Sequence, residues 1–157
     1  MNNDIIRIRA LVDTPEEEDV FRDIEIYSNQ TFLELHSAIQ EAFNFDQSQL
    51  ASFHLSDNDW ERGEEITLID MGGGEKQLME DTALSDHIRS KNQKLLYIFD
   101  FMLMWTFFIE VVAIYPRKTD RVLPEIVLSV GDHPDQYAKK PENLFGAMQY
   151  PEDPETE

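Results

Sequence analysis

The sequence predicts a single α+β domain in which a mixed or antiparallel β-sheet packs against one main amphipathic helix. Three observations lead to this prediction. Residues 4–12 and 20–27 alternate apolar and polar side chains, as half-buried strands do. Residues 31–43 repeat apolar side chains at helical spacing. The run 95–115 is rich in aromatic and β-branched residues, which favour strands.

The first two strands are predicted to form a hairpin, with a charged loop at 13–19 between them. A helix follows, because Thr31 and Glu34 have the spacing of a capping box, which satisfies free backbone N–H groups at a helix start. The apolar stripe of this helix comprises Phe32, Leu35, Ile39, Ala42 and Phe43. An apolar run at 51–55 reads as the next strand, so the order predicts a sheet with the helix packed across one face.

Residues 56–81 are mostly polar and predict a turn and a loop around one short strand. The residues that mark this strand are Ile66, Leu68 and Met71. The loop contains Gly72, Gly73 and Gly74. Residues 82–88 predict a short helical turn that faces Leu84 and Ile88 inward.

The run 95–115 is long enough to cross a membrane, but it contains Asp100 and Glu110. Its composition favours strands, and the elements upstream need a core, so we predict two adjacent strands at 95–101 and 105–114. A final strand is predicted from the alternation of Ile126, Leu128 and Val130. The domain is predicted to span residues 1–145, and the acidic, proline-rich residues 146–157 are predicted to form a disordered tail.

Charge is the largest departure from an average protein, since 32 acidic residues oppose 13 Lys and Arg and give a net charge of −19. Nucleic-acid affinity comes largely from basic side chains, so direct nucleic-acid binding is not expected. Two readings of the charge stay open, namely plain solubility and an acidic surface that mimics DNA for a basic protein.

The chain has no cysteine, which excludes disulfides, thiol nucleophiles and cysteine-ligated zinc. This composition fits a reducing compartment. The start of the chain lacks the basic and apolar segments of a secretory signal, so we expect a cytoplasmic protein that does not enter a membrane.

The sequence predicts no catalytic residue, no metal site and no cofactor. Residues 57–63 superficially resemble a calcium loop, but the glycine occupies the seventh position and Leu68 occupies the twelfth. The serines lack the context of a nucleophile elbow. The four histidines are scattered, and none forms a short ligand pair: His36, His54, His87 and His133.

Two features remain as candidates for binding. Trp60 lies in a polar loop, where it either caps the edge of the core or contacts a ligand. An apolar segment, 102–104, falls where the strands at 95–101 and 105–114 must turn, although hairpin turns usually contain Gly, Asn or Asp. The segment is either buried by another element or forms an adaptable contact surface. The candidate binding residues are Trp60, Asp100, Met102, Leu103, Met104 and Trp105.

The segment Tyr97–Phe101, followed by Trp105 and Glu110, resembles the plasmid pRiA4b ORF-3-like family, which is also known as passenger proteins of a mobile element. The residues that match that family's pattern in place are Asp100, Phe101, Trp105 and Glu110. The family has a Gly, two acidic residues, a Glu and a His at five further positions. This chain differs there and has, in the same order, Met102, Leu103, Met104, Thr106 and Phe107. The resemblance extends over about residues 4–140 and includes 53–55, 60–66 and 130–137. It implies an α+β fold with a mixed sheet and a β-grasp-like β-β-α-β start.

These observations favour a non-catalytic intracellular domain that acts through protein contacts, with self-association left open. One alternative is a small-ligand-binding or enzymatic domain linked to a mobile element, which would use Asp100 and Trp60 in a cleft. The other is an acidic DNA mimic that binds a basic protein.

Overall fold

The computed structural model describes residues 4–15, 17–70, 72, 77–117 and 120–138. Its strands are β1 (Ile5–Val12), β2 (Phe21–Tyr27), β3 (Ala51–Ser56), β4 (Arg62–Thr67), β5 (Gln77–Leu78), β6 (Lys94–Phe99), β7 (Trp105–Tyr115) and β8 (Glu125–Val130). The helix α1 spans Phe32–Ala42, and short 3-10 turns span Met79–Asp81 and Leu84–Asp86. Met71, Gly73, Gly74 and the predicted tail at 146–157 lie outside the described residues.

The eight strands of the described residues belong to one sheet in the order β5-β4-β3-β6-β7-β1-β2-β8. Every neighbouring pair is antiparallel except β4 and β5, so the predicted mixed sheet is confirmed. The β-β-α-β order of the first elements is confirmed as well. Within the sheet, β3 pairs with β6, and β6 and β7 separate it from the amino-terminal hairpin.

The helix begins where the capping box predicts. The Thr31 hydroxyl oxygen accepts the Glu34 N–H at 3.2 Å, and the Glu34 carboxylate accepts the Thr31 N–H at 3.0 Å. The apolar stripe of α1 is buried against one face of the sheet, and Phe43 at its carboxyl end packs edge-on against Phe107 with ring centroids 4.9 Å apart. The sheet therefore has a face covered by α1 and an opposite face, which we call the open face.

The long apolar run forms two strands, as predicted, and not one helix. β6 and β7 pair in a hairpin whose register runs from Lys94 opposite Glu110 to Phe99 opposite Trp105. None of the helices in the described part of the chain is both long enough and apolar enough to cross a membrane.

Three further predictions concern the ends of the elements. Leu84 and Ile88 are buried, which confirms the inward-facing helical turn. β8 forms where alternation predicts it. The strand marked by Ile66 lies earlier than predicted, because β4 pairs with β3 directly after the turn at 57–60 and ends at Thr67.

Candidate functional site

The turn between β6 and β7 is held in one shape by Asp100. Its Oδ1 accepts the N–H groups of Met102 and Leu103 at 3.1 Å each, and its own N–H donates to the Leu50 carbonyl at 2.8 Å. Asp100 and Met104 adopt left-handed backbone conformations, with φ of 65° and 58°. Such conformations are unfavourable for most residues other than glycine and persist only where the surroundings impose them. Side-chain and backbone hydrogen bonds therefore define the shape of the turn.

The side chains of this turn divide into two groups. Met102 is 57% exposed and Phe101 is 39% exposed. By contrast, Leu103 packs against the core, and Trp105 is buried with its indole N–H donating to the Gln136 carbonyl at 3.0 Å. Of the two readings of the apolar segment, partial burial against the core therefore applies to Leu103, and exposure applies to Met102.

A third exposed side chain comes from the segment after β8. Tyr137 is 64% exposed, and its hydroxyl donates a hydrogen bond to the carboxylate of Asp46, which lies in the segment between α1 and β3. The hydrogen bond to Asp46 raises the pKa of Tyr137. The residue before it, Gln136, accepts the Trp105 indole N–H with its carbonyl, so Tyr137 lies close to the β6–β7 turn. We call Phe101, Met102 and Tyr137 the apolar tip. From the sequence, Phe101 was predicted to be the last residue of the strand at 95–101, but β6 ends at Phe99; Tyr137 carried no local signal.

Beside the tip lies an open cleft of about 1140 Å³ between the β1–β2 loop and residues 131–138, with Trp105 among its lining residues. Its acidic lining residues are Asp13, Glu17, Glu18, Asp19, Asp132 and Asp135. Among the described residues, no three acidic or histidine side chains converge in a way that could hold a metal ion. The cleft is a diffuse negative surface.

Trp60 is far from this turn. Its ring packs edge-on against Phe108 on the open face at 5.0 Å, and the Lys94 ammonium lies 5.5 Å from the ring centre. Phe108 is opposite Leu96 in β6, and Asp100 lies four residues beyond Leu96, so roughly 13 Å of strand separates Asp100 from the row on which Trp60 packs. The structure does not bring these two predicted residues into one cleft.

Charged side chains cover the centre of the open face. The Asp23 side chain has no exposed surface, because Arg7 and Arg9 lie over it with nitrogen–oxygen distances of 2.9 and 2.8 Å. Glu25 lies beneath Arg121 at 2.7 Å and also accepts a hydrogen bond from the Tyr115 hydroxyl. The sequence signal for this network was a pair of charged residues at alternating positions in each of two adjacent strands, two basic residues in β1 and two acidic residues in β2.

Aromatic rings lie against two of the arginines on the sheet. The Arg9 guanidinium lies 4.5 Å from the centre of the Phe21 ring, and Arg117 lies 4.5 Å from that of Tyr27. Burial raises the pKa of Asp23, but hydrogen bonds from Arg9 and Arg7 outweigh burial, so the pKa is lower than usual. These contacts satisfy the charges within the protein, so we interpret the network as structural.

Ser52, His54 and Glu65 also lie together on the open face. The His54 Nε2 atom is 3.1 Å from the Ser52 hydroxyl and 3.9 Å from a Glu65 carboxylate oxygen. In a hydrolytic triad the carboxylate binds the other ring nitrogen. Ser52 is only 1% exposed, so a substrate cannot reach its hydroxyl. This group does not form a hydrolytic site.

Replacing Asp100 by alanine is expected to destabilise the protein by about 2 to 3 kcal/mol, because the turn loses two hydrogen bonds and alanine tolerates a left-handed conformation poorly. Asp100→Asn is the matched control, because asparagine keeps the acceptor and tolerates the backbone, and should cost less than about 1 kcal/mol. Urea unfolding measures both variants. Equal losses for the two would contradict the assigned role of the Asp100 side chain.

Comparison with known proteins gives both a fold relative and a family. No curated protein matches this chain. The crystal structure of a protein of unknown function, MM3350 from Methanosarcina mazei Go1, is similar with a TM-score of 0.72 and 21% sequence identity, over 89% of this chain and 76% of the other. This similarity supports the α+β fold. The family described as plasmid pRiA4b ORF-3-like protein matches residues 5–157, so the chain belongs to the plasmid pRiA4b ORF-3-like family.

Proposed function

We propose that this protein is a non-catalytic, intracellular protein-interaction domain and that the apolar tip is its contact surface. The observation that carries the proposal is a hydrogen-bonded turn that exposes Met102 and Phe101 to solvent. A binding surface that is already ordered loses less conformational entropy on association. Aromatic residues and methionine are enriched at protein interfaces, and methionine adapts to the shape of its partner.

The charge around the tip indicates the chemistry of the partner. Asp46 and Asp100 adjoin the exposed side chains, and the acidic cleft lies next to them. Complementary charges accelerate encounter and suppress wrong partners. The partner we propose has an apolar pocket for Met102 with basic residues around it. It is thus a basic protein, as in the DNA-mimic hypothesis, but its binding does not require that the acidic surface resemble DNA.

The cytoplasm is the proposed location, since a cysteine-free chain is suited to a reducing compartment. The enzymatic alternative finds no support in the described geometry. The Asp100 carboxylate is engaged in the turn, and Trp60 lies at the opposite end of β6.

Met102→Asp is expected to weaken partner binding by about 2 kcal/mol, roughly 30-fold, which is the size of an interface hot spot. Stability should change by less than about 0.5 kcal/mol, because the side chain is exposed. Leu103 is left unchanged because it packs against the core. The measurement is quantitative capture of partners from native lysate, followed by titration of the purified partner.

Val122→Asp is the matched control, since Val122 is also an exposed apolar residue. It is remote from the apolar tip, because its neighbour Leu123 packs on Ile5 at the start of β1. The control should bind like the wild type. Equal binding by the wild type, Met102→Asp and a Phe101→Asp/Met102→Asp double variant would overturn the proposed contact surface.

A further inference from the structure

The two edges of the sheet differ in length. One edge is β5, which has two residues, while the other is β8, which has six. Within the described residues, β8 pairs only with β2, so its outer side has no strand partner. An edge strand presents backbone N–H and C=O groups that can pair with another chain, and natural proteins commonly shorten or charge such edges. β5 has this protection by its shortness.

The side chains of β8 do not protect its edge. Residues 126–130 carry no charge, and Ile126, Leu128 and Val130 are 38%, 37% and 37% exposed. These residues lie on both faces of the sheet, since Ile126 is opposite the buried Ile24 and Val130 is opposite Phe21 on the open face. The molecule has a net charge of −19, so an uncharged apolar strand is where a second copy meets the least repulsion.

Charges on the two sides of β8 are opposite in sign. Residues 117–124 contain three basic residues and one acidic residue, a net charge of +2, whereas residues 131–138 contain two acidic residues, a net charge of −2. Glu125, which pairs with Arg121, lowers the first value only to +1 when it is included. An antiparallel pair of identical strands places the basic flank of each copy opposite the acidic flank of the other. A parallel pair would place like charges together.

We propose that two copies of this chain associate through β8, antiparallel about a two-fold axis near Val127 and Leu128, so that one sheet continues across both subunits. Two-fold pairing is self-complementary and uses both copies of the β8 edge, so assembly ends at the dimer. Among the described residues, the remaining edge of each copy is the two-residue β5 and the part of β4 that β5 does not cover, residues 62–65, which contains the charged Arg62, Glu64 and Glu65. The inference is independent of the proposed function, because it does not involve the apolar tip.

Sedimentation velocity over a series of concentrations tests the proposal. The wild type should change from monomer to dimer and not grow further. Leu128→Glu should raise the dimer dissociation constant roughly 100-fold or more, because two like charges meet near the axis. Ile69→Glu adds the same charge at an exposed apolar residue near the other edge of the sheet and should leave the constant unchanged. Thermal unfolding confirms that both variants are folded.

A second measurement keeps the test decisive if Leu128→Glu does not fold. The chain has no cysteine, so a short bis-maleimide linker can report on one introduced thiol. Val127→Cys or Leu128→Cys should form linked dimers, while Ile69→Cys should not. A wild type that stays monomeric at every concentration, growth beyond the dimer, or equal linking at Ile69→Cys would overturn the proposal.

Discussion

Replacing Arg7 and Arg9 together by methionine is expected to destabilise the protein by about 3 to 5 kcal/mol, the usual result of removing the partners of a buried charge. The Asp23 side chain has no exposed surface, and these two guanidiniums are its ion-pair partners. Methionine would still cover the carboxylate but would not neutralise it. Urea unfolding at neutral pH measures the loss, which is a large part of the stability of an ordinary domain.

The dependence on pH identifies the cause of that loss. In the wild type the pKa of Asp23 is lowered on balance, so the ionised carboxylate adds stability above its unfolded pKa, and this stability disappears as the pH falls through the lower folded pKa. In the double variant, burial acts alone and raises the pKa. The destabilisation should therefore shrink as the pH falls toward and below the ordinary value of 3.8.

A triple variant serves as the control. Adding Asp23→Leu to the two methionines removes the buried charge together with its partners, and such apolar replacements are often neutral or stabilising. Most of the lost stability should return. A triple variant as unstable as the double variant would contradict the role of Arg7 and Arg9 as the partners that stabilise the buried Asp23. A double variant that loses less than about 1 kcal/mol would contradict it as well.

Lowering the pH from 6.5 to about 4 is expected to remove about 3 kcal/mol of stability through His36 alone. His36 is buried in the core with its Nδ1 atom 2.6 Å from the Tyr97 hydroxyl, and burial lowers its pKa from 6.5 to about 4. Between these two values the unfolded chain binds a proton that the folded protein does not. Stability therefore falls as the pH is lowered through this window and no longer changes through His36 below it.

Urea unfolding of the wild type and of His36→Gln across this range isolates the effect. Glutamine keeps a polar partner for Tyr97 but does not titrate, so the difference in stability between the two proteins should change by about 3 kcal/mol over the window. His54 also has a pKa lowered by burial, but it is present in both proteins and cancels. A difference that stays constant with pH would show that the pKa of His36 is the same in the folded and unfolded states and would contradict the prediction.

Local patterns in the sequence were enough to predict most of the fold. The capping box marks the start of α1, and alternation marks β1, β2 and β8, because both depend on residues close together in the chain. The boundary of β4 was displaced because its position depends on pairing with β3. At the candidate site, the sequence singled out the apolar turn residues, but it did not distinguish Met102, which is exposed, from Leu103, which packs on the core.

The sequence by itself determined an acidic α+β domain with a capped helix, a hairpin at each of two places, and an apolar turn in the second hairpin. Those features follow from charge, side-chain periodicity and short-range hydrogen bonding, which act along the chain. Only the tertiary structure decided that Arg7 and Arg9 enclose Asp23, that Tyr137 joins the tip, and that β8 is the long edge of the sheet. Each of these depends on the order of strands across the sheet, and strand order is set by contacts between residues far apart in the sequence.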